Sequence, residues 1–244
     1  NIILRYIVRN ADYLLATADE YFLHFQMCGA DSSKFIKIRN GINPFIQQIN
    51  KSEVRKKLGL DNDKTILITT SYLIPRKNPK LLLDSFINLS KENENLDLVF
   101  VGDGPLRNKL SLSVKENGLS NRVTFTGNLN AKETNYWLNA SDIFCLPTNS
   151  DGLSNSVTEA MYCSLPVVAT TGGSFSGIIL EGETGFLVRP GDLNDMINKI
   201  ESLVVDSKLR NRIGLNAKRH LSRMGINWKI NGVLHRKAYD KSRM

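Results

Sequence analysis

The apolar residues of this chain occur in short continuous runs that alternate with stretches of helical spacing. Continuous runs predict strands at 64–70, 96–101, 123–126, 143–146, 166–169 and 185–188, and helical spacing predicts helices over 79–90, 105–117, 131–140, 154–162, 193–205, 208–220 and 228–239. Strands that are apolar throughout are typical of a parallel sheet that has helices on both faces. With right-handed crossovers, the pattern predicts an α/β fold, a doubly wound parallel-sheet domain of the Rossmann-like kind.

The first fifty residues follow a different pattern. Two helices, two short buried strands and a linker without clear periodicity are predicted there, at 5–11, 19–27, 13–17, 34–39 and 44–50. The two strands have no predicted sheet to join. We therefore interpret 1–50 as the incomplete end of a preceding domain and 51–225 as the main domain. Because the opening stretch begins in mid-pattern with Asn1 rather than Met, we expect that a preceding segment is missing.

Composition narrows the classes of partner. The 244 residues carry a net charge of +8, with 41% apolar and 23% charged residues. Such a basic chain favours an anionic partner: a phosphorylated small molecule, nucleic acid or an anionic membrane face. Nucleic acid is the weaker interpretation, because the basic residues are spread along the chain and, in 51–64 and 203–218, are interleaved with acidic ones as on a solvated helix surface. No apolar run reaches the ~20 residues that a membrane span requires.

The cysteines bear on the cellular compartment. Cys28, Cys145 and Cys163 show neither a C-x-x-C pairing nor partner histidines at metal-ligand spacing. We interpret them as reduced thiols and predict a cytoplasmic protein, with peripheral contact at the cytoplasmic membrane face as a further option.

Two of the predicted loops carry the first candidate site residues. Ligands of doubly wound sheets bind outside the carboxyl ends of the strands. Arg76 and Lys77 follow one strand, and adjacent cations suit a diphosphate because charge-assisted hydrogen bonds contribute about 1.5–3 kcal/mol each. Gly102 and Gly104 follow the next strand and would let the backbone approach a ligand closely. The alternatives are ordinary loop charges and a tight turn between strand and helix.

The segment 146–161 is the most informative one. A strand ends at Pro147, a polar loop contains Asp151, and a helix begins near Ser154, so that the free N–H groups of the helix form an anion site. Ser154 and Ser156 can act as a helix cap and as phosphate donors, and Glu159 lies about 7 Å past the helix start. The alternative is that Asp151 holds a turn and Glu159 lies on a solvated helix face. The further binding candidates are Gly127, Gly152, Leu153, Asn155, Gly172 and Gly173.

The order of these segments resembles family 4 of the glycosyltransferases over essentially the full length of the chain. The resemblance is carried by 10–12, 38–43, 102–105, Gly127, 140–147, 151–153, 159–161, 165–170, 172–173 and 185–188, with Trp228 and Tyr239 in the final helices. The family has the two-domain GT-B architecture. The chain is similar to its C-terminal, nucleotide-sugar-binding half, preceded by the end of the acceptor-side domain. The resemblance implies that 226–244 is a helix that crosses back toward that domain.

The resemblance also implies a reaction, which is transfer of a sugar from a nucleoside-diphosphate sugar of the UDP or GDP type with retention at the anomeric carbon. Lys77 would hold the diphosphate, Glu159 the donor ribose and Asp151 the transferred sugar, with neither a metal nor another cofactor. The acceptor would be a glycan or a lipid-linked molecule in polysaccharide, lipopolysaccharide or glycolipid synthesis. Three features depart from the family pattern. Tyr72 stands where an arginine is usual, Asp151 stands where a glutamate is usual, and 174–177 lacks the acidic residue that is common after the glycine pair.

Three functional hypotheses remain open at the level of sequence. The chain is part of a complete glycosyltransferase and active only with its acceptor-side half, or it is a non-catalytic donor-binding module that pairs with a separate subunit. In the first case 1–50 should expose an unpaired strand and an apolar patch, whereas in the second its edges should be polar. A sugar-nucleotide epimerase would need a catalytic acid-base set that the sequence does not offer.

Overall fold

The computed structural model describes residues 2–152, 154–175, 177–226 and 228–241. Its helices are α1 Ile2–Asn10, α2 Asp19–Met27, α3 Lys51–Leu58, α4 Pro79–Leu89, α5 Arg107–Glu116, α6 Ala131–Ala140, α7 Asn155–Tyr162, α8 Leu193–Val205, α9 Ser207–Arg223 and α10 Trp228–Lys241. Its strands are β1 Leu14–Ala16, β2 Phe35–Lys37, β3 Thr65–Thr70, β4 Leu96–Val101, β5 Val123–Gly127, β6 Ile143–Leu146, β7 Val167–Thr170 and β8 Gly185–Val188. Short 3-10 turns occupy Ser32–Lys34 and Pro75–Lys77.

The chain divides into two compact units. One comprises the residues up to Ile42 together with those from Met224 onward, and the other comprises Asn43–Arg223. The segment 44–50, interpreted from the sequence as a linker, is part of the larger unit. Its backbone is held by α6, since the Gln47 and Ile49 N–H groups donate to Asn135 Oδ1 at 3.1 Å and Asn139 Oδ1 at 2.9 Å.

The larger unit is built on a six-stranded parallel sheet in the order β5-β4-β3-β6-β7-β8. The chain builds outward from β3 to β5 and then returns to place β6 on the other side of β3. Every residue of β6 and β7 is buried, because helices cover both faces of the sheet. The predicted doubly wound α/β fold is therefore confirmed, with its topological switch point between β3 and β6.

Most predicted elements agree with the observed ones to within two or three residues. The exception is the charged stretch after Asn50, which the sequence suggested only as solvated helical surface over 51–64. A helix forms there, but it ends at Leu58 because Gly59 adopts the left-handed conformation with a φ of 68°. Among the described residues, no helix is both long and apolar enough to cross a membrane.

The smaller unit corrects the expectation of two buried strands without a sheet to join. β1 and β2 pair with each other in parallel, with Leu14 opposite Phe35. Of β1 only Leu14 is buried, and Leu15 is 40% exposed. The Phe22 ring stacks on Phe35 at 4.7 Å between centroids, so α2 covers one face of this pair. In the same unit, α10 packs against Gly41 through Trp228, the first residue of the helix.

A buried ion pair joins α3 to the sheet of the larger unit. The Arg55 guanidinium lies 2.6 Å from Asp142 Oδ2, and Arg55 is only 2% exposed. Arg55 also donates to the carbonyl oxygens of Ala140, Asp61, Asn62 and Lys64. Asp142 Oδ2 in turn accepts the Ile66 N–H at 2.8 Å, at the start of β3. The pair thus fixes the beginning of the central strand.

We expect Arg55→Met to lower the free energy of unfolding by about 3 kcal/mol, because it leaves the Asp142 carboxylate buried with only the exposed Lys51 as a cationic partner. Urea denaturation measures this loss. The control is Lys56→Met on the exposed side of the same helix, for which we expect a change within about 0.5 kcal/mol. Equal effects of the two substitutions would contradict the assigned role of Arg55.

Candidate functional site

Two loops meet at the switch point of the sheet, one after β3 and one after β6. The Asn149 N–H donates to the Arg76 carbonyl oxygen at 2.8 Å, and the Thr148 hydroxyl donates to the same oxygen at 3.2 Å. Asn78 Nδ2 donates to Asn149 Oδ1 at 3.3 Å. The two loops are therefore tied together along their backbones, which fixes the side chains that they carry.

The side chains that meet there are two cations and one carboxylate. Lys77 Nζ donates to Asp151 Oδ2, and Arg76 Nη1 lies 3.1 Å from Asp151 Oδ1. Arg76 Nη1 also donates to the Ser150 carbonyl oxygen at 2.7 Å. The Lys77 side chain is 13% exposed, whereas that of Arg76 is 50% exposed. We call Arg76, Lys77 and Asp151 the switch-point cluster; sequence reasoning named all three residues but not their contact.

Gly172 and Gly173 close this region from the side of β7. The Asp151 N–H donates to the Gly172 carbonyl oxygen at 2.8 Å. A Cβ atom on Gly172 would lie 2.5 Å from the carbonyl oxygens of Thr148 and Asn149, so only glycine allows this approach. A Cβ on Gly173 would lie 2.1 Å from the ring of Phe175. Packing of the loops alone is a sufficient reason for glycine at both positions. Direct contact of Gly172 and Gly173 with a ligand stays a prediction.

Gly102 and Gly104 are likewise required by contacts between backbones, whereas Gly127 is favoured by its positive φ. A Cβ on Gly102 would lie 2.1 Å from the Ser71 carbonyl oxygen, and one on Gly104 would lie 2.6 Å from that of Leu73. The Gly102 N–H donates to the Gly127 carbonyl oxygen at 2.9 Å. All three have positive φ values, of 129°, 156° and 73°. They bring the loops after β3, β4 and β5 close together at the carboxyl edge of the sheet.

Arg107 is a cation at this edge that sequence reasoning missed. Its Nη1 donates to Asp103 Oδ2 at 2.8 Å, and its Nη2 donates to the Phe125 carbonyl oxygen at 3.4 Å. The Gly104 N–H and the Arg107 guanidinium lower the pKa of Asp103 below its usual range. The i, i+4 spacing of Asp103 and Arg107 is a sequence signal that could have identified the pair.

The start of α7 differs from the predicted cap. Ser154 is the N-cap residue, but its side chain makes no capping hydrogen bond. Its hydroxyl instead lies 2.8 Å from the Ser156 hydroxyl. The expectation of a serine cap is therefore wrong, because the two hydroxyls satisfy each other. The first N–H groups of α7 therefore do not donate to a capping side chain of Ser154. Leu153, which is predicted to bind a ligand here, lies outside the described residues.

Glu159 is a half-buried carboxyl group on α7. Burial among apolar neighbours raises its pKa to about 7. Within the described part of the chain no hydrogen bond or ion pair to its carboxylate is found, and it does not join the switch-point cluster. The alternative of a solvated helix face is excluded by this burial. A half-buried carboxylate with a raised pKa near a loop at the carboxyl edge of the sheet is typical of a functional position.

No metal site accompanies these carboxylates in the residues that the structure describes. Within those ranges, no group of three or more His, Cys, Asp or Glu side chains is arranged to hold an ion.

Comparison with known proteins gives a match to one family model. Residues 50–220 match the model of the glycosyl transferases group 1. The chain is 30% identical over 223 residues to the sulfoquinovosyl transferase SQD2 of Arabidopsis thaliana, and this alignment covers 88% of the chain and 42% of the plant protein. The chain spans 42%, 44% and 62% of the lengths of three curated relatives.

Two solved structures give the corresponding likeness of fold. The C-terminal domain of LpcC, a glycosyl transferase group 1 family protein of Francisella tularensis, has a TM-score of 0.67 and 25% identity, covering 73% of this chain and 94% of that one. Anabaena HepE in complex with UDP-glucose has a TM-score of 0.82 and 22% identity, covering 99% of this chain and 66% of that one. At this identity, the second likeness concerns the fold alone.

We expect Glu159→Gln to stabilise the chain more at pH 8 than at pH 5. The folded-state pKa of about 7 exceeds the ordinary value of 4.5. Between these values the folded chain binds more protons than the unfolded chain, so stability falls as the pH rises through this window. Glutamine does not ionise and removes a penalty that reaches roughly 3 kcal/mol above pH 7.

Thermal unfolding midpoints of variant and parent at pH 5 and pH 8 measure this difference. The control is Glu116→Gln, an exposed glutamate on α5, which should shift the midpoint alike at both pH values. A Glu159→Gln effect that does not depend on pH would contradict the raised pKa.

Proposed function

The chain belongs to the glycosyl transferases group 1, and on this premise we propose that its larger unit binds the diphosphate and sugar of a nucleoside-diphosphate sugar. In this proposal the complete protein transfers that sugar to a glycan or lipid-linked acceptor with retention of the anomeric configuration. The products belong to polysaccharide, lipopolysaccharide or glycolipid synthesis. Cytoplasmic placement stays a prediction.

The observation that carries the proposal is the switch-point cluster. Lys77 and Arg76 lie at the carboxyl end of β3, where ligands of doubly wound sheets bind. Both cations are held by a single carboxylate, Asp151, and an incoming diphosphate offers more oxygen acceptors than that carboxylate. A diphosphate can therefore take Lys77 from Asp151, which frees the Asp151 carboxylate for a hydroxyl of the sugar.

The chemical step in this proposal depends on stabilisation of the leaving diphosphate. The bond between the anomeric carbon and the phosphate oxygen breaks, and its electron pair goes to the diphosphate. The acceptor hydroxyl forms the new bond on the face of the sugar that the diphosphate leaves, and its proton passes to an oxygen of the departing diphosphate. Lys77, Arg76 and the first N–H groups of α7 offset the charge that develops on the diphosphate, which is electrostatic catalysis. Glu159 accepts hydrogen bonds from the ribose, and the choice between UDP and GDP is left to measurement.

The structure of the smaller unit favours a chain that works with an acceptor-side half. α1 buries only Val8, while Ile2, Ile3, Tyr6 and Ile7 are each more than half exposed. β1 and β2 form a two-stranded sheet, so further strands can add at its edges. These are the features expected where a further sheet packs, and they support an incomplete catalytic unit over a self-sufficient module with polar edges.

A thermal-shift screen against UDP, GDP, ADP and their sugar conjugates tests donor binding. A ligand at 100 times its dissociation constant adds about 2.7 kcal/mol of stability, which raises the unfolding midpoint. We expect a rise with one nucleotide class, which identifies the base. A folded sample that responds to none of them would contradict donor binding by this chain.

We expect Lys77→Ala and Glu159→Ala each to weaken binding of the nucleoside diphosphate about 10- to 100-fold, the value of one charge-assisted hydrogen bond. Calorimetric titration measures the dissociation constants. The matched control is Lys80→Ala, because Lys80 is a neighbouring lysine whose side chain is 64% exposed and pairs with Asp84. Unchanged affinity in both site variants would remove the proposed site.

We expect Ile3→Glu combined with Ile7→Glu to reduce binding of the dye anilinonaphthalene sulfonate and concentration-dependent self-association, because the charges break up the apolar face of α1. Dye fluorescence and sedimentation velocity measure both effects. Val205→Glu on α8 is the control, since Val205 lies outside α1 and is 73% exposed. A parent chain that neither binds the dye nor associates would favour the self-sufficient module.

A further inference from the structure

Helix α9 carries an unusual excess of positive charge. Its 17 residues include the cations Lys208, Arg210, Arg212, Lys218, Arg219 and Arg223 and contain neither aspartate nor glutamate. The whole chain has a net charge of +8. A large part of that excess therefore lies on this one helix of the larger unit.

Four of these cations share the exposed face of α9. Lys208, Arg212, Arg219 and Arg223 are exposed and follow one another at spacings of four and seven residues, so they lie on one side of the helix. At 1.5 Å per residue their row is about 22 Å long. Leu215 lies within this row and is 50% exposed. We call these five residues the α9 row.

The cations of the α9 row differ from the other two on the same helix because their side chains have no partner in the part of the chain that the structure describes. Arg210 donates to the carbonyl oxygens of Leu203 and Val204, and Lys218 donates to Gln48 Oε1 at 2.6 Å. For the four cations of the row, the described ranges contain neither a hydrogen bond nor an ion pair. Their charge is therefore available to an external anion.

The α9 row is held rigidly by the other side of the helix. Ile213, Ala217 and Leu221 are fully or almost fully buried. A Cβ atom on Gly214 would lie 2.0 Å from the Ser164 carbonyl oxygen, so the helix backbone rests directly on the turn before β7. Because the apolar side of α9 is used in the core, the helix presents a fixed row of charge with Leu215 as its one exposed apolar side chain, rather than a broad apolar face.

A cavity of about 310 Å³ lies beside the row. Lys51, Arg210, Asn211 and Leu215 line it together with the backbone turn at Ser164. The single carboxylate in its wall is that of Asp142, which Lys51 and Arg55 already neutralise. The cavity therefore combines cationic and amide donors with an apolar rim at Leu215, which suits a phosphate group attached to an apolar chain.

We propose that the α9 row docks this protein on an anionic phospholipid bilayer, with one lipid phosphate entering the cavity beside Leu215. A straight row of cations matches a planar surface of negative charge, and the exposed leucine at its centre suits the apolar boundary of a bilayer. Nucleic acid is disfavoured because α9 has no Phe, Tyr or Trp side chain for base stacking. The proposal gives a location to the membrane contact predicted from net charge and does not rest on sugar transfer.

Flotation of the chain with vesicles of phosphatidylcholine and phosphatidylglycerol tests the proposal. We expect binding that rises with the phosphatidylglycerol fraction and falls with salt, since exposed charges are screened. Each basic residue near an anionic surface contributes roughly a fivefold gain in partitioning. Replacing Lys208, Arg212, Arg219 and Arg223 by glutamine should therefore lower the partition coefficient at least tenfold, and Leu215→Gln should lower it further.

The control removes the same charge elsewhere on the larger unit, with Lys91, Lys109, Lys115 and Lys132 replaced by glutamine, all of which are exposed. We expect less than a twofold loss for the control. Nucleotide-induced thermal shifts should stay unchanged in both variants, which separates this test from that of donor binding. Equal losses in the two variants, no binding of the parent chain, or tighter binding of the parent chain to duplex DNA than to vesicles would each overturn the proposal.

Discussion

The parallel direction of the six strands is the constraint on which the candidate site depends. Since β3 and β6 are neighbours and run the same way, the loop with Arg76 and Lys77 and the loop with Asp151 leave the sheet at the same edge. More than seventy residues separate these side chains in sequence, yet they form one ion-paired cluster. An antiparallel β6 would place Asp151 at the opposite edge, and the cluster could not form.

Close contact between backbones then gives this edge its shape. Gly102 and Gly104 let the loop after β4 rest on Ser71 and Leu73, and Gly172 lets the loop after β7 rest on Thr148 and Asn149. Each contact is too short for any side chain, so these glycines position polar groups without themselves needing to touch a ligand. This explains why glycine-rich loops at strand ends indicate a site in sequence without saying which atoms bind.

The two carboxylates named from the sequence occupy opposite electrostatic environments. Asp151 is held by Lys77 and Arg76, whereas Glu159 is half-buried with a pKa raised to about 7. Burial of Glu159 opposes its charged form. A carboxylate with a raised pKa lowers the stability of the folded chain as the pH rises through neutrality, and the proposed contact with the donor ribose gives Glu159 a role. The cations of α9 repeat this contrast at the surface, because their charge also lacks a partner within the described ranges.

The sequence by itself determined the elements and the family, because both depend on local pattern. Apolar runs at the strands, helical spacing between them, and polar loops such as that around Asp151 are readable along the chain. It also named Lys77, Asp151 and Glu159, since charged residues at strand ends and helix starts stand out against that pattern.

Only the tertiary structure decided which of these residues meet and how each is solvated. It showed that β1 pairs with β2, that Ser154 bonds Ser156 instead of capping α7, that Arg107 joins the carboxyl edge, and that Glu159 is half-buried. Each of these facts depends on atoms distant in sequence or on the competition among neighbouring partners. Local periodicity carries information about which face of an element is apolar, but none about what packs against that face.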